Sequence, residues 1–235
     1  MKLSLNAILA AILVAVTALN KTSAAEADLL EPLRSSVRQA ISEFDRIDES
    51  RKKTLKEAAQ YITDRNAEGK PAKLTFICTH NSRRSHLSQI WAQTAAIYYG
   101  LPNVTTYSGG TEATACNIRT VRALRRAGFS IAESTGGTNP VYLAQISESK
   151  PPVKMYSKRF IDDPNPQSDF AALLTCDQAD ASCPLVKGTA LRVPIHYVDP
   201  KISDGTPAET ASYDERSRQI AREMFFLMSQ VKISS

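Results

Sequence analysis

The sequence predicts an α/β fold, a parallel sheet with helices on its faces, preceded by a helical extension. Three observations carry this. From residue 73 onward, short β-rich apolar runs alternate with helical stretches, the order that builds parallel sheets. Over residues 28–66, apolar side chains instead recur at three- and four-residue steps, the spacing of amphipathic helices. The 235-residue chain is 43% hydrophobic and 23% charged, a globular balance with a sizeable core to bury. With only 9 Gly and 12 Pro, that balance excludes a disordered, collagenous or multi-span membrane chain. The net charge of +5 is a weak bias that suits an anionic ligand. Its basic residues do not interleave with aromatics, so no nucleic-acid module is indicated.

The elements follow in order. Lys2, the apolar run 7–19 broken only by Thr17, and the small residues Ser23, Ala24 and Ala25 read as an export signal. The run is short for a bilayer span. Cleavage is expected after Ala25, with Ala24 and Ala27 as alternatives, leaving a periplasmic or secreted protein with no stable membrane span. An uncleaved anchor is the bland alternative. Leu29, Leu30, Leu33, Val37, Ile41 and Phe44, then Leu55, Ala58, Ala59 and Ile62, predict a helical hairpin broken over 45–50 and packed on the main domain. Residues 66–73, with Gly69 and Pro71, form a linker. The expected division is a signal at 1–25, a helical leader and linker at 26–72, and a catalytic domain at 73–235.

In that domain, strands are expected at 74–78, 104–107, 141–146, 153–156, 170–174 and 191–196. Helices are expected at 85–99, at 117–127 where Gly128 ends it, and at 209–231. The strand pair around Lys150-Pro151-Pro152 and the Asp163-Pro164-Asn165-Pro166 turn form an irregular segment, 139–169. It either covers a sheet edge, the preferred reading, or shapes a substrate rim.

The chemistry concentrates where the first strand ends. Cys78-Thr79-His80-Asn81-Ser82-Arg83-Arg84-Ser85 joins that strand to a helix. A loop of this length can turn its backbone N–H groups inward as an anion nest, and the helix adds its own free N–H groups. Those fields favour a thiolate at Cys78. Arg84 can offer two N–H groups to a tetrahedral oxyanion, and Ser85 a hydrogen bond to sulfur. Asn81 tolerates the left-handed backbone that a tight loop demands. A structural cysteine at a strand end is the bland alternative. Ligands in such folds bind beyond the carboxyl ends of the strands.

This segment resembles the phosphate-binding loop of the low-molecular-weight protein tyrosine phosphatase superfamily, which includes the thioredoxin-coupled arsenate reductases. The resemblance runs from Lys73 to about Val231. It includes Tyr107-Ser108-Gly109-Gly110-Thr111-Glu112-Ala113-Thr114 and Asn117-Ile118-Arg119-Thr120-Val121. It implies a four-stranded parallel sheet flanked by helices, with Cys78, Arg84, Ser85 and Asp199 as catalytic residues. Thr79, His80, Asn81, Ser82 and Arg83 would complete the anion-binding loop. Asp199-Pro200 stands where the superfamily carries its general acid. Two loop residues depart from the pattern: His80 replaces a usual Gly, and Arg83 a usual small residue. No aromatic appears in the run Lys201 to Pro207 just after Asp199-Pro200, which weakens a phosphotyrosine reading.

Cys176 and Cys183 resemble the redox segment of the arsenate reductases, and a thiol relay needs an attacker and an exposed terminal pair. In an oxidising compartment they could equally form a plain disulfide. Cys116 is expected to be an inert packing residue. A zinc site wants four ligands, and His80, His86 and His196 are the only histidines. No metal or organic cofactor is implied. The expected activity is arsenate reduction through Cys78, Cys176 and Cys183, with an external thioredoxin-like dithiol as donor. The alternative is hydrolysis of phosphate esters through a cysteinyl-phosphate at Cys78. A third reading, motivated by His80, Arg83 and export, is an oxyanion-binding or redox-sensing protein without turnover.

Overall fold

The computed structural model describes residues 26–182 and 186–233. The export-signal segment and Cys183 lie outside the described residues. In chain order the helices are α1 (Arg34–Ser42), α2 (Glu49–Ala67), α3 (Arg84–Tyr98), α4 (Ile118–Arg126), α5 (Asp177–Ser182) and α6 (Glu209–Ser229). The strands are β1 (Ala72–Cys78), β2 (Val104–Gly110), β3 (Ser130–Glu133), β4 (Tyr142–Gln145), β5 (Val153–Met155), β6 (Phe170–Leu174) and β7 (Thr189–Pro194).

The fold is α/β, with a four-stranded parallel sheet in the order β2-β1-β6-β7. The central strands β1 and β6 are nearly continuous apolar runs because both of their faces are buried. Alternation along the strands assigns residues to two clusters. Leu74, Phe76, Ala171, Leu173 and Val193 join the main core with the long helices. Ile77, Phe170, Ala172 and Leu174 face a smaller cluster with Cys78, Cys176, Ala179 and Val186. The helical cover is therefore unequal: long helices on one face, the short α5 on the other. No described helix is long and apolar enough to cross a membrane.

The leader packs on the main domain, as its apolar spacing predicts. Leu33, Val37, Leu55, Ala58 and Ile62 are fully buried in the main core. Asp48 caps α2 by accepting the Arg51 amide at 2.8 Å. The predicted hairpin needs correction, because α1 and α2 both lie against α6.

Residues 139–169 are also corrected in detail. β4 and β5 pair with β3, an element the sequence does not announce, as a separate antiparallel sheet in the order β3-β4-β5. The chain then runs beside the outer edge of β2, bridging Gly110 to Arg159. This covers the edge, as the preferred reading expects, and it also touches the Cys78–Ser85 loop.

Candidate active site

Three of the four parallel strands deliver a predicted site residue to one end of the sheet. Cys78 ends β1, Cys176 follows β6 by two residues, and Asp199 follows β7 by five. β2 delivers Gly109 and Gly110, which the loop needs for close approach. A Cβ on Gly110 would lie 2.6 Å from the Thr79 carbonyl oxygen and 2.7 Å from the Asn81 nitrogen. A Cβ on Gly109 would lie 2.4 Å from the Phe160 Cα.

The loop is tied internally and from outside. Cys78 is 3% exposed, and its Sγ lies 3.0 Å from Ser85 Oγ. Asn81 takes the predicted left-handed backbone at φ 44°. Its Nδ2 donates to Ser85 Oγ at 2.9 Å, and its Oδ1 accepts the Lys158 amide at 3.0 Å. The Ser157 hydroxyl donates to the His80 carbonyl at 2.8 Å. The Ser82 carbonyl accepts the Asn117 amide at 3.0 Å. Arg84 opens α3, so Ser85 and the first helical amides face the loop.

Arg84 holds the segment that carries Asp199. Its Nη1 donates to the Tyr197 carbonyl at 3.0 Å and its Nη2 to Asp199 Oδ2 at 2.9 Å. Asp199 Oδ1 accepts the Lys201 amide at 3.1 Å, capping the short 3₁₀ turn Pro200–Ser203. Arg83 is tied down too. Its Nε donates to Tyr213 Oη at 2.9 Å, and the guanidinium lies 3.9 Å from Asp199 and 3.7 Å from Asp204. The second positive charge thus braces the Asp199–Asp204 segment. Over these groups opens a cleft of about 840 Å³, lined by His80, Arg83, Arg84, Gln178, His196 and Asp199 among others. Val198 and Ile202 stand on its rim, 64% and 83% exposed. His80 projects at the mouth, half-exposed, 3.8 Å from Glu112.

Cys176 is fully buried beside the loop. Its sulfur lies 3.5 Å from Thr79 Oγ1 and accepts the Ala179 amide at 3.4 Å. Cys116 is buried in the main core, and burial pushes its thiol up to about 12, as suits a packing residue. Among the described residues, no group of three or more His, Cys, Asp or Glu could hold a metal ion.

Several supporting residues carry no signal in the sequence. Lys158 is buried, its amine 4.6 Å from the Tyr156 ring centre, and burial lowers its pKa to about 8. His86 is enclosed, with Nδ1 3.2 Å from Ser108 Oγ. Burial first, then the Lys158 charge, holds it down to about 3, so the ring is neutral. The Gly109-Gly110 pair was the one available hint that a second chain segment must approach here.

The chain is 28% identical over 144 residues to an arsenate reductase of Bacillus licheniformis, an alignment covering 61% of this chain and 84% of that protein. The resemblance to the arsenate reductases holds. A second arsenate reductase, from Halalkalibacterium halodurans, is 28% identical over 143 residues, again 61% of this chain and 84% of the relative. No family model matches the chain. Among solved structures, a low-molecular-weight phosphotyrosine phosphatase from Vibrio cholerae aligns with TM-score 0.46 and 14% identity, over 67% of this chain and 95% of that one. An arsenate reductase in its phosphate-binding state aligns with TM-score 0.42 and 12% identity, over 68% and 99%. The chain thus joins a four-stranded parallel α/β fold to sequence similarity with arsenate reductases.

Proposed function

We propose that this protein reduces arsenate to arsenite through a thiol relay. Cys78 thiolate attacks arsenic in an arsenate held by the loop amides and Arg84, and Asp199 protonates the departing hydroxyl, which leaves as water. Cys176 thiolate then attacks Cys78 Sγ. The sulfur–sulfur bond forms, the arsenic–sulfur bond breaks, and its electron pair stays on arsenic, which departs as arsenite. Cys183 attacks Cys176, frees Cys78 and leaves a Cys176–Cys183 disulfide. An external dithiol of thioredoxin-like type reduces that disulfide and supplies the two electrons. The mature protein is proposed to do this outside the cytosol, after loss of residues 1–25.

One observation carries the reading above all: Thr79, the residue after the nucleophile, lies 3.5 Å from Cys176. A second cysteine buried against the loop supports relay chemistry, which a hydrolase does not need. The test is arsenite production from arsenate and dithiol by the purified mature protein. Cys176→Ser should allow at most one turnover, and Cys183→Ser should lose multiple turnover. Wild-type rates in the Cys183→Ser protein would overturn the relay.

The second reading is phosphate-ester hydrolysis. Cys78, Arg84 and Asp199 form a complete nucleophile, clamp and acid without the other cysteines. Steady turnover of an aryl phosphate that survives loss of both Cys176 and Cys183 would favour it over the reductase.

A further inference from the structure

The resemblance begins at Lys73, yet the leader upstream of it reaches the acid segment through Arg51. The Arg51 Nη2 donates to the His196 carbonyl, while Arg84 takes the next carbonyl, that of Tyr197, at 3.0 Å. Arg51 Nε lies 3.2 Å from Glu223 Oε2 on α6. Its guanidinium sits 5.2 Å from the centre of the Tyr197 ring, within cation–π range. The Tyr197 hydroxyl donates to the same Glu223 oxygen at 2.9 Å. Glu223 and Tyr197 are both buried. Two residues on, Asp199 is held by Arg84. The segment that carries the acid is thus gripped at successive carbonyls by one arginine from the anion loop and one from the leader.

We propose that Arg51 is a positioning residue for catalysis, and that the leader is a working part of the active site through the Arg51–Glu223–Tyr197 clamp. This rests on the reading of Asp199 as the acid. Arg51 touches neither the nucleophile nor the anion loop, so it acts only through the placement of residues 196–199. A displacement on the order of 1 Å at a catalytic group costs up to about a hundredfold in rate.

The test removes the charged pair together. Arg51→Met alone would strand a buried carboxylate and risk unfolding, so the variant is Arg51→Met with Glu223→Gln. The expected result is a kcat at least about tenfold lower for arsenate reduction, or for aryl phosphate hydrolysis if that is the wild-type activity. Iodoacetamide alkylation of Cys78 should stay within about twofold of wild type. In an Asp199→Asn background the same pair should cost no more than about twofold, because the residue it serves is already gone. Hydrogen exchange should rise at the Tyr197 amide, which donates to the Thr175 carbonyl at 3.1 Å, and stay unchanged in β6. A kcat within twofold of wild type, a full additional loss in the Asp199→Asn background, or unchanged exchange at Tyr197 would each overturn the proposal. If the wild-type chain turns over neither substrate, the proposed function fails and the exchange measurement alone decides the clamp.

Discussion

Replacing Ser85 with Ala isolates what the loop does for Cys78. Asn81 Oδ1 accepts the Lys158 amide, which fixes the other end of the Asn81 side chain as nitrogen. That nitrogen donates to Ser85 Oγ at 2.9 Å, so the serine hydrogen is free to point at Cys78 Sγ, 3.0 Å away. A hydrogen bond to a charged group contributes about 1.5–3 kcal/mol, and both residues are buried, so water does not readily replace it. At about 1.4 kcal/mol per tenfold, Ser85→Ala should slow alkylation of Cys78 by roughly 10- to 100-fold. The assay is iodoacetamide labelling, followed at the Cys78 peptide by mass spectrometry. Ser88→Ala is the control, because that hydroxyl donates one turn back to the Arg84 carbonyl at 2.8 Å and does not touch sulfur. A Ser85→Ala rate within twofold of wild type, with unchanged thermal unfolding, would refute the reasoning.

Gly110→Ala should disrupt the loop through β2. Its new methyl would meet backbone atoms of Thr79, Asn81 and Glu112, the last at 2.3 Å, and backbone cannot rotate away. Stability should fall by about 1–3 kcal/mol, and Cys78 labelling and turnover should fall at least tenfold, read from urea unfolding and the same alkylation assay. His86 sets part of the acid limb of stability. Its folded pKa of about 3 lies below the ordinary 6.5, so the unfolded chain binds more protons between them. Its contribution is complete above about pH 6.5 and is lost as the pH falls toward 3, on the order of 5 kcal/mol in all. Urea unfolding at stepped pH should show a flatter slope over that window for His86→Gln than for wild type. An equal slope would contradict the assignment.

The loop was legible because its parts are contiguous. Cys78 to Ser85 reads as one strand–loop–helix junction, and a left-handed Asn81 follows from the chemistry of Asn in tight turns. The clamp was not legible, because Arg51 meets its carbonyl partner 145 residues away and nothing at either position marks the pairing. Lys158 fell inside an irregular segment whose sequence announced only strands and turns, yet its backbone closes the Asn81 contact. β3 was missed because only Ile131 of its four residues is buried, which leaves no alternation to read. α5 was missed because Asp177-Gln178-Ala179-Asp180-Ala181-Ser182 is short and polar. It is held instead from outside, by Asp180 against Arg192 and against His196 at 3.1 Å. The rule that ligands sit beyond the strand ends carried Cys78, Cys176 and Asp199 to one edge without any of these details.

The boundary near residue 72 is clear in the sequence but is not an energetic boundary. Leu29, Leu33, Val37, Leu55 and Ile62 each lie at 2% exposure or less in the same core as the sheet. Each contributes about 1.5–3 kcal/mol by burial, and the partners they leave would be newly exposed. Arg222, itself buried, pairs with Glu43 of the leader at 2.9 Å, and Glu223 pairs with Arg51 at 3.2 Å. Loss of either partner strands a buried charge, at about 3–5 kcal/mol each. These losses are of the same order as the 5–15 kcal/mol by which a typical domain is stable. A chain of residues 73–235 should therefore fail to unfold cooperatively in urea and should bind a hydrophobic dye, whereas residues 26–235 should give one sharp transition. A cooperative transition in the shorter chain near the midpoint of the longer one would mean that the leader only decorates the domain. The same result would confine any role of Arg51 to the placement of residues 196–199, which hydrogen exchange at the Tyr197 amide reads separately.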